Sequence, residues 1–322
     1  MLTWQGRTMG SPYTIKIVGA VPAAREIDAL KAEIEERLRE VNRQMSHYQP
    51  DSELSRFNRA PAGTRFKVSP EFAQVMRISL EMWRRSAGAF DPTLAPVINL
   101  WGFGEKTDRN LVPSAPELQA ALKKTGAQYL SVTADGELRK EIPDLALNLS
   151  AIAKGFGVDE MARVLQQHGF TNIYVSIAGE VLALGHNQRG TPWQVGLAAP
   201  VSHWNENDPL AAVASLSGRA LSTSGDYQKF FVDAQGRRLC HIVDPKTGWP
   251  VQHNLAAVTV VAQNSMTADA LATTLFVLGP ERGSQFIESW TNAAALFIVR
   301  KSDGKFRNIP SPKFVAMTGC KL

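Results

Sequence analysis

The sequence contains few cysteines and lacks long apolar runs, and these two features exclude several classes of protein. Its two cysteines, Cys240 and Cys320, stand far apart and form no metal-binding or redox motif. A chain of 322 residues can bury a core large enough to fold without disulfides. No apolar stretch approaches the roughly 20 residues that a membrane-spanning helix needs. We therefore expect a globular protein without a transmembrane helix.

Other features that would indicate a function are also missing. The net charge is +5, but the basic pairs are scattered and form no stripe interleaved with aromatic residues. A nucleic-acid surface is therefore unsupported. There is no short-period repeat, no low-complexity segment and no clear linker. The N-terminal residues carry no signal peptide. The protein is therefore either cytoplasmic, or Met1 replaces an export segment that has been removed.

The chain instead shows alternating helix and strand patterns. Apolar content is 44% and charged content 20%, both ordinary for a globular protein. Helical spacing and capping residues predict helices over 25–41, from Ser69 through Trp83, over 116–124 and over 268–278, with more helix over 281–290. Period-two patterns and turn signals predict strands over 13–18, 129–132, 145–149, 172–184 (broken at Gly179), 193–199, 211–216, 219–223, 230–232, 239–243, 256–262 and 293–299. Hairpin-linked strands with interspersed helices favour an α+β fold with a mostly antiparallel sheet.

Residues 144–165, DLALNLSAIAKGFGVDEMARVL, organise this interpretation. Leucines at alternate positions predict a buried strand over 145–149, and a helix follows from about Lys154. Gly155 and Gly157 allow close backbone approach at the helix entrance, where unpaired N–H groups suit a phosphate. The segment matches neither the Walker loop nor the dinucleotide fingerprint. Ordinary helix–strand packing is the alternative interpretation.

Asp269 and Thr273 form the first candidate functional pair. They stand four residues apart in SMTADALATTLFVLG, so both side chains project from one helix face, about 5–6 Å apart. A carboxylate and a hydroxyl in this arrangement suit a hard cation such as Mg²⁺. The alternative is that Asp269 complements the helix dipole and Thr273 bonds to a backbone carbonyl.

His241 is the second candidate. It lies in CHIVDPKTG, where a strand enters a turn, and a histidine there can act as a general base near neutral pH. A hydrogen-bonded histidine without a catalytic role is the alternative. Residues 220–227, ALSTSGDY, offer three hydroxyls, and by themselves they are equally typical of a turn.

Taken together, these segments resemble the ApbE family of FAD:protein FMN transferases. The resemblance extends from about Thr8 to the last strand, and no single motif carries it. The matching segments occur in the family's order: SPYTI after Met9-Gly10, MSHYQPDSELSRFN, GAFDPTLAPVINLWGFG, LNLSAIAKGFGVD, ALSTSGDYQKF, HIVDPKTGWPVQHNL and SMTADALATTLFVLG. The resemblance implies a T-fold-related α+β architecture. It predicts one domain over 1–322, with two subdomains and FAD in a cleft as a variant of that arrangement.

The resemblance also implies which residues form the site. Mg²⁺ would be bound by the backbone carbonyl of Ala151, with Asp269 and Thr273; Asp269 would thereby also serve catalysis, and His241 would transfer a proton. The FAD contacts would be Met9, Tyr48, Ala89, Phe90, Asp91, Asn148, Lys154 and the backbone of Val243, with Tyr48 and Phe90 as candidates for stacking on the flavin. The family commonly has Asp at the position of Asn148. The amide still hydrogen-bonds, but one negative charge near the metal is lost.

The implied reaction is Mg²⁺-dependent transfer of FMN from FAD to a threonine or serine hydroxyl of an acceptor protein, with release of AMP. Two alternatives are an FAD pyrophosphatase and a protein that only holds FAD for binding or redox chemistry. The family's acceptors are flavoprotein subunits of membrane redox complexes that face the periplasm. We therefore expect a periplasmic protein that lost its leader, with a cytoplasmic form as the alternative.

Overall fold

The computed structural model describes residues 1–20, 23–104, 112–201 and 210–321. The helices in chain order are α1 (Ala24–Met45), α2 (Glu53–Arg59), α3 (Pro70–Arg85), α4 (Ala95–Leu100), α5 (Ala115–Leu122), α6 (Ala153–Gln167), α7 (Ser265–Glu288) and α8 (Phe314–Thr318). The strands are β1 (Leu2–Thr8), β2 (Ser11–Ile17), β3 (Phe66–Lys67), β4 (Leu130–Val132), β5 (Glu137–Lys140), β6 (Ile173–Ile177), β7 (Glu180–Leu184), β8 (Trp193–Ala198), β9 (Leu210–Leu216), β10 (Arg219–Gly225), β11 (Phe230–Val232), β12 (Arg238–Cys240), β13 (Leu255–Ala262), β14 (Ala294–Arg300) and β15 (Phe306–Pro310).

The chain forms two compact units, neither of which is continuous in sequence. The first unit consists of Met1–Val41, Ile152–Gln228 and Asn254–Leu322. The second consists of Asn42–Ala151 and Lys229–His253. Helix α1 begins in the first unit and ends in the second. The mostly antiparallel α+β class predicted from the sequence is confirmed.

An antiparallel sheet with the strand order β1-β2-β6-β7-β10-β13-β14-β15 forms the centre of the first unit. The hairpin between β1 and β2 turns at Met9 and Gly10, which have φ values of 49° and 70°. A two-residue turn of this kind matches the twist of the flanking strands, but its left-handed conformation is unfavourable for Met9. Strand β13 is buried along its whole length, as expected for a central strand.

Different elements cover the two faces of this sheet. Helix α7 packs on β10 and β13 and also contacts α6, which lies against β6 and β7. The β8–β9 hairpin and α8 pack on the other face, in a core that includes Trp193, Leu216 and Phe314. The alternation of side chains along each strand produces this division, because successive residues point to opposite faces.

The second unit is built from short helices, the sheet β3-β5-β4 and the hairpin β11–β12. Its core gathers around Trp101, whose indole Nε1–H donates to the carbonyl of Gly248 at 2.7 Å. Ser69 caps α3 as its sequence predicts, accepting a hydrogen bond from the backbone N–H of Phe72.

The prediction of a strand over 145–149 is wrong, although its leucines are buried as the pattern requires. Only Ala146 forms a bridge, with Leu94. The Asn58 amide holds this segment through Leu147: its oxygen accepts from the Leu147 N–H at 2.7 Å, and its nitrogen donates to the Leu147 carbonyl at 3.0 Å. A side chain thus satisfies backbone groups that a neighbouring strand would otherwise pair.

Other differences from the sequence prediction are smaller. Helix α1 extends four residues beyond the predicted end, to Met45. Helices α2 and α4 lie in segments for which the sequence predicted no helix. Strands β1 and β15, which lie at the two edges of the large sheet, were not predicted. Across the part of the chain that the structure describes, every helix is too short or too polar to cross a bilayer.

Candidate functional site

The residues predicted for the site are divided between the two units. The first unit contains Met9, Lys154, Asp269 and Thr273. The second unit contains Tyr48, Ala89, Phe90, Asp91, Asn148, Ala151, His241 and Val243.

The start of α6 lies directly against the first turn of α7. The backbone N–H of Gly155 donates to Asp269 Oδ2 at 2.9 Å. A Cβ at position 155 would stand 2.3 Å from the carbonyl oxygen of Ser265, so only glycine fits. Asp159, one turn later, accepts from the N–H groups of Ser265 and Met266 and so caps α7 from outside. The absence of a side chain at position 155 thus brings Asp269 to the α6 entrance.

Lys154 and Asp269 lie in a buried charged cluster that also contains Glu180. The Lys154 ammonium donates to Glu180 Oε1 at 2.5 Å, and the two side chains are 29% and 6% exposed. Burial alone would lower the pKa of Lys154, but Asp269 and Glu180 raise it above its ordinary value. Burial raises the pKa of Asp269 to about 7, although Lys154 and the Gly155 N–H act in the opposite direction. Lys154 is therefore a permanent cation held between two carboxylates.

Strand β10 places a row of hydroxyls beside this cluster. Ser222 and Ser224 share one face of the strand because they are two residues apart. Ser222 Oγ donates to Glu180 Oε1 at 3.4 Å, and Ser224 Oγ lies 3.3 Å from Thr273 Oγ1. Thr223, on the opposite face, pairs with Thr259 across the strands. The ALSTSG residues are therefore a strand, and the turn alternative is wrong.

The donors in this cluster fit a hard divalent cation. Helix α7 carries Asp269 and Thr273 four residues apart, as predicted. A carboxylate oxygen and a hydroxyl oxygen of this kind suit Mg²⁺ chemistry. In the described ranges no three His, Cys, Asp or Glu side chains form a metal-binding group by themselves. The predicted Mg²⁺ ligands do not require such a cluster, because they are one carboxylate, one hydroxyl and one backbone carbonyl.

Met9 reaches the same helix from the β1–β2 turn. A Cβ at Gly157 would stand 2.9 Å from Met9 Cε and 3.1 Å from Ile177 Cδ1, so the Met9 side chain occupies the space that this glycine leaves. The strained φ of Met9 is therefore matched by a specific packing position against α6.

In the second unit, His241 is oriented by the backbone of Lys229. The carbonyl oxygen of Lys229 accepts from the His241 backbone N–H at 3.1 Å and lies 3.2 Å from His241 Nδ1. A carbonyl can only accept, so Nδ1 carries the proton and the neutral ring has its lone pair on Nε2. This is the tautomer that a base acting through Nε2 requires.

The Lys229 side chain interacts with other segments of the same unit. The Lys229 ammonium donates to the carbonyl of Phe103 at 2.6 Å, and the Phe103 ring stands edge-on to His241 with centroids 6.4 Å apart. Burial and then the charge of Lys229 lower the pKa of His47. His47 packs on Tyr48 with ring centroids 4.0 Å apart, and Tyr48 is 62% exposed. Tyr48 therefore presents an open aromatic face.

Ala89, Phe90 and Asp91 follow a sharp turn at the end of α3, where Ala87 and Gly88 have φ values of 50° and 84°. The side chains of Ala89 and Phe90 are buried, so the Phe90 ring offers no open face comparable with that of Tyr48. Asp91 accepts from the N–H and hydroxyl of Thr93 and from the Ala127 N–H. Burial raises the pKa of Asp91 against these hydrogen bonds.

Asn148, Ala151 and Val243 are placed mainly by their backbones. The Asn148 N–H donates to the carbonyl of Pro92, and its side-chain oxygen accepts from Ser150. Ala151 directly precedes Ile152, the N-cap of α6. Val243 is buried and forms a bridge with Pro250.

Sequence reasoning missed Glu180 and Lys229. Glu180 stood in the apolar run YVSIAGEVLAL, and a carboxylate inside a predicted buried strand is a detectable signal, because buried charges are almost always paired. Lys229 contributes a backbone carbonyl to His241, and a backbone contact between distant segments leaves no trace in residue type.

The chain is similar to known proteins over almost its whole length. Residues 9–297 match the model of the ApbE family. A protein of Haemophilus influenzae named FAD:protein FMN transferase is 37% identical, over 100% of this chain and 92% of that protein. One of the same name from Vibrio cholerae is 38% identical, over 96% of this chain and 90% of that protein.

Solved structures show the same relationship. The apo form of the flavinyl transferase ApbE from Pseudomonas stutzeri superposes with a TM-score of 0.88 at 37% identity, covering 100% of this chain and 98% of that one. The flavin transferase ApbE from Vibrio cholerae gives a TM-score of 0.87 at 37% identity, with 98% of each chain covered. The expected family architecture is therefore confirmed.

Proposed function

The chain belongs to the ApbE family, and on that premise we propose that it transfers FMN from FAD to a threonine or serine hydroxyl of an acceptor protein. The enzyme is a flavin transferase, as its relatives' names indicate. The observation that carries the proposal is the buried pairing of Asp269 with the entrance of α6, beside Lys154 and Thr273. This arrangement gathers a carboxylate, a hydroxyl and an ammonium where a helix N-terminus already favours phosphate.

Asp269, Thr273 and the carbonyl of Ala151 would hold Mg²⁺. When bound there, the ion supplies positive charge that offsets charge developing on the phosphate oxygens. Lys154 adds a fixed ammonium to the same unit, although Glu180 already shares its charge. The contribution of Lys154 to FAD binding should therefore be smaller than that of an unpaired lysine.

The proposed reaction is a displacement at phosphorus. The oxygen of the acceptor hydroxyl forms a bond to the FMN phosphorus of FAD, and the bond from that phosphorus to the bridging oxygen breaks. The bridging oxygen leaves with AMP. The hydroxyl proton would pass to Nε2 of His241, the ring nitrogen opposite the Nδ1 that lies against the Lys229 carbonyl.

The proposed FAD contacts are those that the family resemblance implies. Tyr48 is the better candidate for stacking on the isoalloxazine, because its ring is exposed and that of Phe90 is buried. The binding surface would be completed by Met9, Ala89, Asp91, Asn148, Lys154 and the backbone of Val243. FAD can accompany the protein through purification if these contacts suffice.

Product analysis tests the proposal. The protein is incubated with FAD, Mg²⁺ and a candidate acceptor, and the acceptor's intact mass and the released AMP are measured with and without acceptor. We expect acceptor mass to rise by one FMN, with AMP release that depends on the acceptor. Rapid AMP release without acceptor, together with free FMN, would identify a pyrophosphatase; intact FAD in all samples would identify a binding or redox protein.

We also propose that the acceptor is a flavoprotein subunit of a membrane redox complex and that the enzyme acts in the periplasm. The support is the family resemblance of the chain. Fractionation of cells that produce the natural protein, with detection by antibody, tests the compartment. Recovery with cytoplasmic markers would contradict it.

A further inference from the structure

Glu180 is a buried carboxylate that the proposed mechanism does not use. It is the first residue of β7 and follows a tight turn in which Ala178 has a φ of 58°. Its Oε1 accepts from Lys154 Nζ at 2.5 Å and from Ser222 Oγ at 3.4 Å. Its Oε2 is buried and has no hydrogen-bond partner among the described residues. A strained turn and an unpaired oxygen both place this carboxylate at energetic cost.

Stability alone does not account for this pair. A buried ion pair is often no better than well-packed apolar side chains of the same volume, because both charges lose their hydration. Leaving one carboxylate oxygen unpaired adds a further penalty. A residue that only filled space between β7 and α6 would need neither feature. The position of the second carboxylate, Asp269, suggests what the pair achieves.

Two carboxylates compete to pair with the ammonium of Lys154. Both Glu180 and Asp269 interact electrostatically with the ammonium, but the ion pair is made with Glu180. Asp269 Oδ2 instead accepts from the backbone N–H of Gly155, the next residue. When Asp269 and Glu180 are both ionised, one ammonium and two carboxylates leave one negative charge in the cluster. Without the charge of Glu180, Lys154 would neutralise Asp269, and no net negative charge would remain for a cation.

We propose that Glu180 is a positioning residue that holds the ammonium of Lys154 away from Asp269, and thereby keeps Asp269 available to a divalent cation. The inference rests on the proposed function, because it takes Asp269 as a ligand of that cation. Glu180 itself touches neither the substrate nor the cation in this role. It acts through the lysine.

Direct binding of Mn²⁺, a spectroscopic probe for Mg²⁺ sites, tests the inference without measuring turnover. Mn²⁺ is titrated into protein saturated with FAD, and free Mn²⁺ is followed by electron paramagnetic resonance. Glu180→Gln keeps the shape of the side chain but removes its charge. We expect it to weaken Mn²⁺ binding roughly tenfold or more, since a released lysine pairs with Asp269. Glu281→Gln, the same change at an exposed position of α7, is the matched control and should bind as the wild type does.

Removal of the lysine provides the decisive comparison. The double variant Glu180→Gln/Lys154→Gln should recover Mn²⁺ affinity to near the wild-type value, because the competing ammonium is gone. Lys154→Gln alone should bind Mn²⁺ at least as tightly as the wild type. A merely structural role for Glu180 predicts no recovery, because the second substitution would add damage. Unchanged Mn²⁺ binding in Glu180→Gln, or a double variant as weak as the single one, would overturn the inference.

Failure of this inference is separable from failure of the proposed function. If the wild type transfers FMN and binds Mn²⁺ but the Glu180 variants bind it equally well, only the role of Glu180 is lost. If the wild type binds no Mn²⁺, both the metal site and the role of Glu180 are overturned. If the far-UV circular dichroism of Glu180→Gln shows that this variant does not fold, the test rests on Lys154→Gln alone. Weaker Mn²⁺ binding in Lys154→Gln than in the wild type would then contradict the inference.

Discussion

His241 is the side chain on which the proposed chemistry depends most directly, and its orientation is set by one carbonyl. The Lys229 oxygen contacts both the backbone N–H and Nδ1 of His241. Two contacts to one acceptor fix the ring and its tautomer together. The nearby Lys229 ammonium is held on the carbonyl of Phe103, which keeps this backbone in place.

Replacing His241 with alanine should therefore lower the rate of transfer much more than it lowers FAD affinity. Loss of a general base typically costs about 10²–10⁴-fold in rate. AMP release with acceptor at saturating FAD measures the rate, and quenching of flavin fluorescence measures binding. His186→Ala, at an exposed position in the first unit, is the control. A variant that loses FAD binding but retains turnover at saturation would show that His241 is a binding contact.

Among elements, the contact between α6 and α7 determines where Asp269 lies in the first unit. Gly155 permits the close approach, and Asp159 satisfies N–H groups at the start of α7 that would otherwise be unpaired. Both devices act over the single turn that precedes Asp269. The position of the proposed ligand is thus set by how two helices meet.

Gly155→Ala should destabilise the protein and displace Asp269. The new Cβ would stand 2.3 Å from the Ser265 carbonyl oxygen, so the helices must separate. Overpacking of this kind costs about 1–3 kcal/mol or more. Gly179→Ala is the matched control, because a Cβ there meets nothing within 4 Å and the residue is not left-handed. Urea denaturation measures both variants; equal stability of the two would contradict the prediction.

Asp159 should make part of the folding stability depend on pH. Burial raises the pKa of Asp159 to about 6, above the ordinary aspartate value of 3.8, despite hydrogen bonds from Met266 and Ser265. A raised pKa means that its contribution to stability is fully present below pH 3.8 and is lost as pH rises through about 6. The carboxylate is the form that burial penalises.

The measurement compares wild type with Asp159→Asn by urea denaturation at pH 4 and pH 7. Relative to the variant, the wild type's unfolding free energy should be higher at pH 4 than at pH 7, by on the order of 3 kcal/mol. Groups that titrate in both proteins cancel in this difference. A difference between the two proteins that does not change with pH would exclude the effect.

At the scale of the whole molecule, folding and the proposed metal dependence should be separable. Each unit has its own apolar core, around Trp193 in the first and Trp101 in the second. Apolar burial is the main source of folding free energy. We therefore expect the fold to persist without a bound ion.

Removing divalent metal with EDTA should abolish FMN transfer while leaving far-UV circular dichroism unchanged. Addition of excess Mg²⁺ should restore transfer, and excess Ca²⁺ should restore less, because Mg²⁺ demands a tighter octahedral geometry. Undiminished FMN transfer in EDTA would show that the reaction needs no divalent metal. Loss of secondary structure in EDTA would show that the ion is structural.

Much of the fold was predictable because it depends on local patterns. The period of 3.6 and the cap at Ser69 define α3, and the turn signals define hairpins such as β6–β7. The i, i+4 spacing of Asp269 and Thr273 follows from helix geometry alone. The edge strands β1 and β15 were missed because an edge strand is paired on one side only and its pattern is weak.

By itself the sequence determined the family, the α+β class and the identity of the candidate ligands, because ordered motifs and local periodicity are properties of the chain. Only the tertiary structure decided which groups the charged side chains meet. Lys154 pairs with Glu180 because β7 and α6 pack together, and residues 145–149 are held by Asn58 instead of by a strand. Such contacts join segments distant in sequence, so their free energy depends on packing that no local pattern encodes.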